Sequence, residues 1–386
     1  MRGSYNCGMV LLLAAFVVSL CVTLLLVRSA KMHAHLSMDH DVSGPQKFHA
    51  SPVPRVGGVG IVAGLGAAGL VLLFSDLPRD SVLLGVLVCG IPAFGAGLIE
   101  DLTKRVSPRM RLLAVAMSAL LAVWLLGAAI TRTDIPGMDW VVSWPLGAAM
   151  VTTFAVAGIA NSMNIIDGFN GLASMCGVIM LAALAYVAFQ VGDPLVGSLA
   201  LAGVGAVLGF FLWNFPAGLI FLGDGGAYFL GFYFAEVSIL LLARNVATVS
   251  PLCPLLICIY PVFETLFSIY RRRFLRALPP SVPDGIHLHS LIYRRVMRWA
   301  VGNRSAKALT RRNSMTSPYL WVLCTLSVMP AVLFWDNTPL LAIFLLLFAT
   351  SYIGLYWRIV RFQSPRWLRP RGPGAGRHRR VKREQT

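Results

Sequence analysis

The chain has 386 residues, 57% of them hydrophobic and only 13% charged, with a formal net charge of +17 at pH 7. So apolar a composition excludes an ordinary soluble domain, in which about a quarter of residues are charged. The basic residues flank apolar runs, which makes them a topology signal and argues against nucleic acid as a partner.

Apolar runs of about 17–25 residues, the length of a membrane-crossing helix, recur along the chain. They lie near 9–27, 56–74, 82–99, 111–130, 144–160, 172–190, 195–213, 226–243, 250–270, 318–335 and 338–356. Backbone groups in lipid must be satisfied within the segment. The expected fold is therefore an all-α polytopic membrane protein of about eleven transmembrane helices, one domain over 1–360 with a basic, disordered tail over 361–386. The first run follows only Arg2, precedes Arg28 and Lys31, and shows no small-residue cleavage site, so it reads as a retained helix. All Lys and Arg except Arg2, Arg79, Arg132 and Arg244 fall in 28–55, 100–111, 271–317 and the tail from Arg358. The positive-inside rule then puts the N-terminus outside and the C-terminus in the cytoplasm. The seven cysteines show no metal-ligand spacing and read as apolar fillers.

On this topology five polar motifs share the cytoplasmic side. After the first span come Lys47 and His49, then Arg55 with Gly57 and Gly58, a group able to hold an anion. After the third come Glu100-Asp101 and Lys104, adjacent carboxylates that suit a metal ligand or a proton acceptor, or else a solvated helix end. After the fifth, steps of three place Asn161, Asn164 and Asp167 on one helical arc, followed by Gly168, Asn170 and Gly171 in a turn. After the seventh, Phe221 precedes Gly223-Asp224-Gly225, where Asp224 either caps the next helix or holds magnesium beside a phosphate docked at the helix N-terminus.

After the ninth come Arg271-Arg272-Arg273 and then His287-Leu288-His289. Residues two apart share a face only in extended backbone, so a loop or strand is expected for the histidines. Residues 288–300 alternate apolar and basic side chains, the pattern of a helix in the headgroup layer. Glu264 should face the bundle, and Glu236 reads as a protonated or hydrogen-bonded interior residue.

The ordered set, from about Lys47 to His289, resembles the polyprenyl-phosphate N-acetylhexosamine-1-phosphate transferases, a glycosyltransferase 4 type family. The eleven-helix layout is similar to that of its O-antigen-initiating branch. The resemblance implies transfer of a sugar 1-phosphate from a UDP-N-acetylhexosamine to undecaprenyl phosphate, with release of UMP, at the cytoplasmic face of a bacterial inner membrane. It implies Mg2+, or Mn2+ in its place, on Asp224 with Asp101 as candidate second ligand, and catalytic roles for Glu100, Asp101 and Asp167. It further implies substrate contacts from Lys47, His49, Arg55, Lys104, Asn161, Asn164, Asn170, Phe221, Arg271, His287 and His289. Membrane lipids are expected partners, and a homodimer is allowed for.

The chain departs from the family pattern at three positions. Glu100 stands where Asp is usual, which leaves open which of the two carboxylates is the base. Asn170 replaces the Asp of the peptidoglycan branch and Ser290 a common third histidine, which favours a simple N-acetylhexosamine over the phospho-MurNAc-pentapeptide. Direct attack by the lipid phosphate is expected, with a covalent aspartyl-phosphate route as the alternative. A secondary transporter is the alternative class, since transporters also gather polar groups between helices.

Overall fold

A computed structural model describes residues 2–30, 53–74, 82–275, 286–297 and 306–361. Its helices are α1 (Arg2–Arg28), α2 (Gly58–Phe74), α3 (Val82–Thr103), α4 (Pro108–Leu126), α5 (Met138–Val142), α6 (Pro145–Ile166) and α7 (Leu172–Gln190). They continue as α8 (Pro194–Asn214), α9 (Gly223–Arg244), α10 (Leu252–Ile257), α11 (Ile259–Tyr270), α12 (Leu288–Leu291), α13 (Ala306–Leu333) and α14 (Thr338–Val360). No strand occurs among the described residues. The chain is a multi-pass helical membrane protein. By length and apolar composition, nine of the described helices are able to cross a bilayer: α1, α3, α4, α6, α7, α8, α9, α13 and α14.

The two other expected spans are the shorter α2 and the segment 250–270, which the structure breaks at Cys258 into α10 and α11. Pro261 has no N–H to return to the carbonyl of Ile257, which weakens the helix at this break.

Helix boundaries follow local chemistry. Ser107 accepts from the Met110 amide at 3.4 Å ahead of Pro108, and Gly127 closes α4 at φ 64°. Asp193 and Asn337 cap α8 and α14, each ahead of a proline-containing first turn.

The centre of the bundle is α9, buried along its whole length from Gly223 to Leu241, with α2, α3, α6 and α7 packed around it. Its first turn lies backbone to backbone against two neighbours. A Cβ on Gly97 would come within 2.5 Å of the Gly225 Cα, and one on Gly58 within 2.4 Å of the Gly226 Cα. Three helix ends therefore meet at one point.

Two elements depart from expectation. Helix α13 starts at Ala306, a dozen residues ahead of the expected span, because its polar first turns find partners inside the protein. Residues 288–297 do not turn an apolar face to lipid: Leu288, Leu291, Ile292, Val296 and Met297 are all buried. Arg312 donates to the Tyr293 carbonyl at 2.9 and 2.6 Å, and Arg295 donates to the Ile359 carbonyl at 2.9 Å, tying this segment to α13 and α14. Lys47, His49, residues 298–300 and the tail beyond 361 lie outside the described residues.

Candidate active site

The site is built on the N-terminus of α9. Gly223, at φ 76°, turns the chain so that Asp224 opens the helix. Asp101, in the last turn of α3, spans that terminus: Oδ1 accepts from the Asp224 amide and Oδ2 from the Gly225 amide, both at 2.9 Å. An anion belongs there, because the first amides of a helix lack internal partners and the dipole is positive at that end. Asp101 is only 1% exposed.

The Asp224 carboxylate gathers cations and an amide from three further segments. Arg55, ahead of α2, places Nη2 3.3 Å from Oδ1 and Nε 3.8 Å from Asp101 Oδ1. Asn164 of α6 donates to Oδ1 at 3.1 Å. Arg111, one turn into α4, pairs with Oδ2 and lies 5.7 Å from the centre of the Tyr228 ring. Two carboxylates and two guanidiniums thus sit on converging helix ends, a largely buried charge cluster rather than a solvated surface.

Asp167 follows directly after α6, in a non-helical conformation. Burial pushes its carboxyl up to about 7; Arg55 pulls it down and the Asp101 charge adds to the rise. All three groups therefore share one electrostatic environment. On the far side of Asp167, a Cβ on Gly168 would lie 3.6 Å from His289 Nε2, and Phe169 packs edge-on to the His289 ring at 5.4 Å.

The histidines stack on each other, ring centres 5.1 Å apart and 11° from parallel. Only His287 is extended (ψ 153°); His289 is already in α12, which revises the expectation of a loop or strand for both. Glu264 of α11 holds the pair from behind. Its Oε1 lies 3.0 Å from His287 Nδ1 and accepts from the Leu288 amide at 2.9 Å, while Oε2 accepts from the Tyr352 hydroxyl of α14 at 2.6 Å. Arg271 donates to the Tyr356 hydroxyl at 2.8 Å and lies over that ring.

The profile of glycosyl transferase family 4 matches residues 83–242, from the start of α3 nearly to the end of α9. The undecaprenyl-phosphate alpha-N-acetylglucosaminyl 1-phosphate transferase of Thermotoga maritima is 30% identical, over 66% of this chain and 72% of its own. The chain belongs to this family. The decaprenyl-phosphate N-acetylglucosaminephosphotransferase of Mycolicibacterium smegmatis is 31% identical, over 71% of this chain and 70% of its own. A Bacillus subtilis protein, named probable undecaprenyl-phosphate N-acetylglucosaminyl 1-phosphate transferase, is 29% identical over 77% of this chain and 80% of its own.

In this family-4 transferase not every expected site residue faces the carboxylate cluster in the same way. Arg55, Asp101, Asn164, Asp167 and Asp224 come together there, and Asn161 lies half-buried one turn earlier on α6. Glu100 accepts from the Val106 amide at 2.7 Å, closing the turn after α3. Lys104, at φ 57°, ends α3 and donates from Nζ to the Asp101 carbonyl at 2.8 Å. Phe221 pairs its backbone with Pro54 and Gly57, which fixes Arg55 beside it.

Asn170, expected to contact substrate, is instead spent on the protein. Its side-chain amide donates to the Pro216 carbonyl at 3.3 Å and to Ser314 Oγ at 3.2 Å, and it is 5% exposed. Arg111 was legible only as a topology charge, although a cation facing lipid one turn inside an apolar helix is costly and should pair inward. The supports Glu264, Tyr352 and Tyr356 come from apolar segments without a spacing signal.

Proposed function

We propose that the chain transfers an N-acetylhexosamine 1-phosphate from a UDP-N-acetylhexosamine to a polyprenyl phosphate, releasing UMP and leaving a lipid-diphosphate-sugar. The observation that carries this reading is the Asp224 carboxylate held by Arg55, Arg111 and Asn164 at a helix N-terminus, with Asp101 on its amide. The named relatives act on undecaprenyl or decaprenyl phosphate and N-acetylglucosamine, and this chain's site has the charge pattern such a reaction needs. That pattern, with the relatives, favours the transferase over a transporter.

An oxygen of the lipid phosphate attacks the sugar-bearing phosphorus. The bond from that phosphorus to the oxygen bridging the two phosphates breaks, and its electron pair leaves with UMP. Attacker and target are both anions, so the main task is to offset their repulsion. Arg55 and Arg111 supply two cations, and the stacked imidazoles of His287 and His289 lie beside the turn that follows Asp167. The buried Glu264 orients His287 through Nδ1 and leaves Nε2 directed elsewhere. Glu100, half-buried, is the member of the acidic pair suited to take a proton from the nucleophile. Both oxygens of Asp101 already hold α9.

A divalent cation fits these donors. Among the described residues no group of three or more metal-binding side chains is assembled. Magnesium sites commonly use one or two carboxylates completed by substrate phosphates and water. Asp224 would hold it once Arg55 and Arg111 turn from its oxygens to the substrate phosphates, with Asp167 in place of the expected Asp101; Mn2+ shares the same oxygen preference. When bound, the ion would neutralise diphosphate oxygens and polarise the phosphorus under attack. The reading places the site at the cytoplasmic face of a bacterial inner membrane, in the first step of O-antigen or related surface-glycan assembly.

The test is UMP release by purified protein given a panel of UDP-N-acetylhexosamines, with and without undecaprenyl phosphate. Lipid-dependent release is expected with at least one sugar, and Asp224→Asn should lower it by about 100-fold or more. Release independent of lipid, or none with any sugar, would overturn the assignment.

A further inference from the structure

The turn that follows Asp167 is anchored at Asn170 and Gly171 by side chains from other helices. The Asn170 amide donates to Asn313 Oδ1 at 2.8 Å, and its carbonyl accepts from Ser317 Oγ at 2.6 Å. The Gly171 amide donates to Asn214 Oδ1 at 2.6 Å, and its carbonyl accepts from Trp321 Nε1 at 3.0 Å. Ser314 Oγ accepts from Asn170 Nδ2 and donates to the Pro216 carbonyl. Four of these partners, Asn313, Ser314, Ser317 and Trp321, lie on one face of α13, at helical spacing.

Such a face is costly in a helix that needs only to pack. Asn313 and Ser314 are 4% exposed and Ser317 is 0% exposed, so each polar group would be penalised without its partner. Apolar side chains would fill the same space, but they would leave the Asn170 N–H and carbonyl without their partners, whereas Gly171 keeps Asn214 and the Met175 amide. The turn is also stiff between Asn170 and Asp167: the Leu172 amide returns to the Phe169 carbonyl at 3.0 Å and the Gly168 amide to the Ile166 carbonyl at 2.8 Å. A shift at Asn170 is therefore passed on to Asp167 and to the Phe169 face that packs on His289.

We infer that Asn313, Ser314, Ser317 and Trp321 are positioning residues of the transferase: from outside the matched family segment, α13 sets the place of Asp167 through the peptide groups of Asn170 and Gly171. The inference rests on the proposed activity for its consequence, although its structural half stands apart from it. Misplacing a reacting group by about 1 Å can cost about 100-fold in rate.

Ser317→Val and Ser317→Thr have the same shape and differ only in the hydroxyl, so any clash from the added bulk is common to both; Asn313→Leu removes the acceptor of the Asn170 amide. In purified, monodisperse protein, turnover by Ser317→Val and Asn313→Leu should fall about tenfold or more below that of Ser317→Thr. The loss should fall on kcat with KM within about twofold, as expected when a reacting group is displaced rather than a substrate contact removed. Amide exchange across residues 168–172 should be about 5–10-fold faster in Ser317→Val than in Ser317→Thr, the loss of one buried hydrogen bond. Equal exchange in the pair overturns the inference. Faster exchange with unchanged turnover overturns it too, by reducing α13 to packing. If the wild-type chain turns over no UDP-sugar, the proposed activity falls, and the exchange comparison alone still decides whether α13 sets the turn.

Discussion

At the scale of single residues, the acidic pair divides its labour. Asp101 gives both oxygens to the α9 amides, while Glu100, one residue earlier, points to the turn at Val106. Adjacent residues on a helix point about 100° apart, so the two carboxylates could not have shared one role. Asp167 carries the clearest pH signature. Its carboxyl rises from an ordinary 3.8 to about 7, so the native ligand-free chain holds a proton that the unfolded chain has released across that window. Stability should therefore decline as pH rises from about 4 to 7, with the full cost present above about 7. Thermal unfolding in detergent between about pH 5 and 8 should show this decline, and Asp167→Asn should make it shallower. An equal slope in the variant would mean that Asp167 does not carry the proton.

At the scale of elements, α14 acts on the site without entering it. Tyr352 anchors Glu264, which anchors His287, and Tyr356 meets both Arg271 and, at 3.3 Å, the Ile286 carbonyl. Removing the Tyr352 hydroxyl leaves Glu264 Oε2 short of a donor in a buried place, a loss of roughly 1–3 kcal/mol locally. Tyr352→Phe should lower kcat by about 3–10-fold with little change in KM, since the hydroxyl acts on the site only through Glu264 and His287. A change confined to KM in steady-state kinetics would point to a lipid-binding role for α14 instead. None of this was visible in the pattern of α14, whose alternation of apolar and aromatic residues reads as an ordinary span.

At the scale of the whole molecule, the two ends of the bundle differ in kind. The end with Asp101, Asp167, Asp224 and His287 converges on charges that face one another across helices. The opposite end is a belt of closed pairs: Arg132 with Asp134, Thr338 on Asp134 at 2.6 Å, Arg244 on Asp193 at 2.7 Å, and the Ser250 amide on the Trp335 carbonyl at 3.0 Å. That belt links four connections and leaves no comparable cluster among the described residues. We propose, from the positive-inside rule, that the carboxylate-cluster end faces the cytoplasm. In a background without reactive thiols, Asp336→Cys should react with an impermeant maleimide in intact cells, and Arg105→Cys only after permeabilisation. The reverse pattern would invert the topology.

The sequence by itself determined the class of the molecule and most of the reactive cluster. Span length and the placement of Lys and Arg depend on local composition, and a carboxylate or amide at a helix end is conspicuous beside lipid. Asn164, Asp167 and Asp224 were legible for that reason. Only the tertiary structure decided which partners they meet: Arg111 on Asp224, Glu264 behind His287, and the face of α13 beneath Asn170. Those pairings join residues from 23 to 147 positions apart, where no periodicity links them. A polar side chain in an apolar helix announces that it needs a partner, but packing alone selects which one.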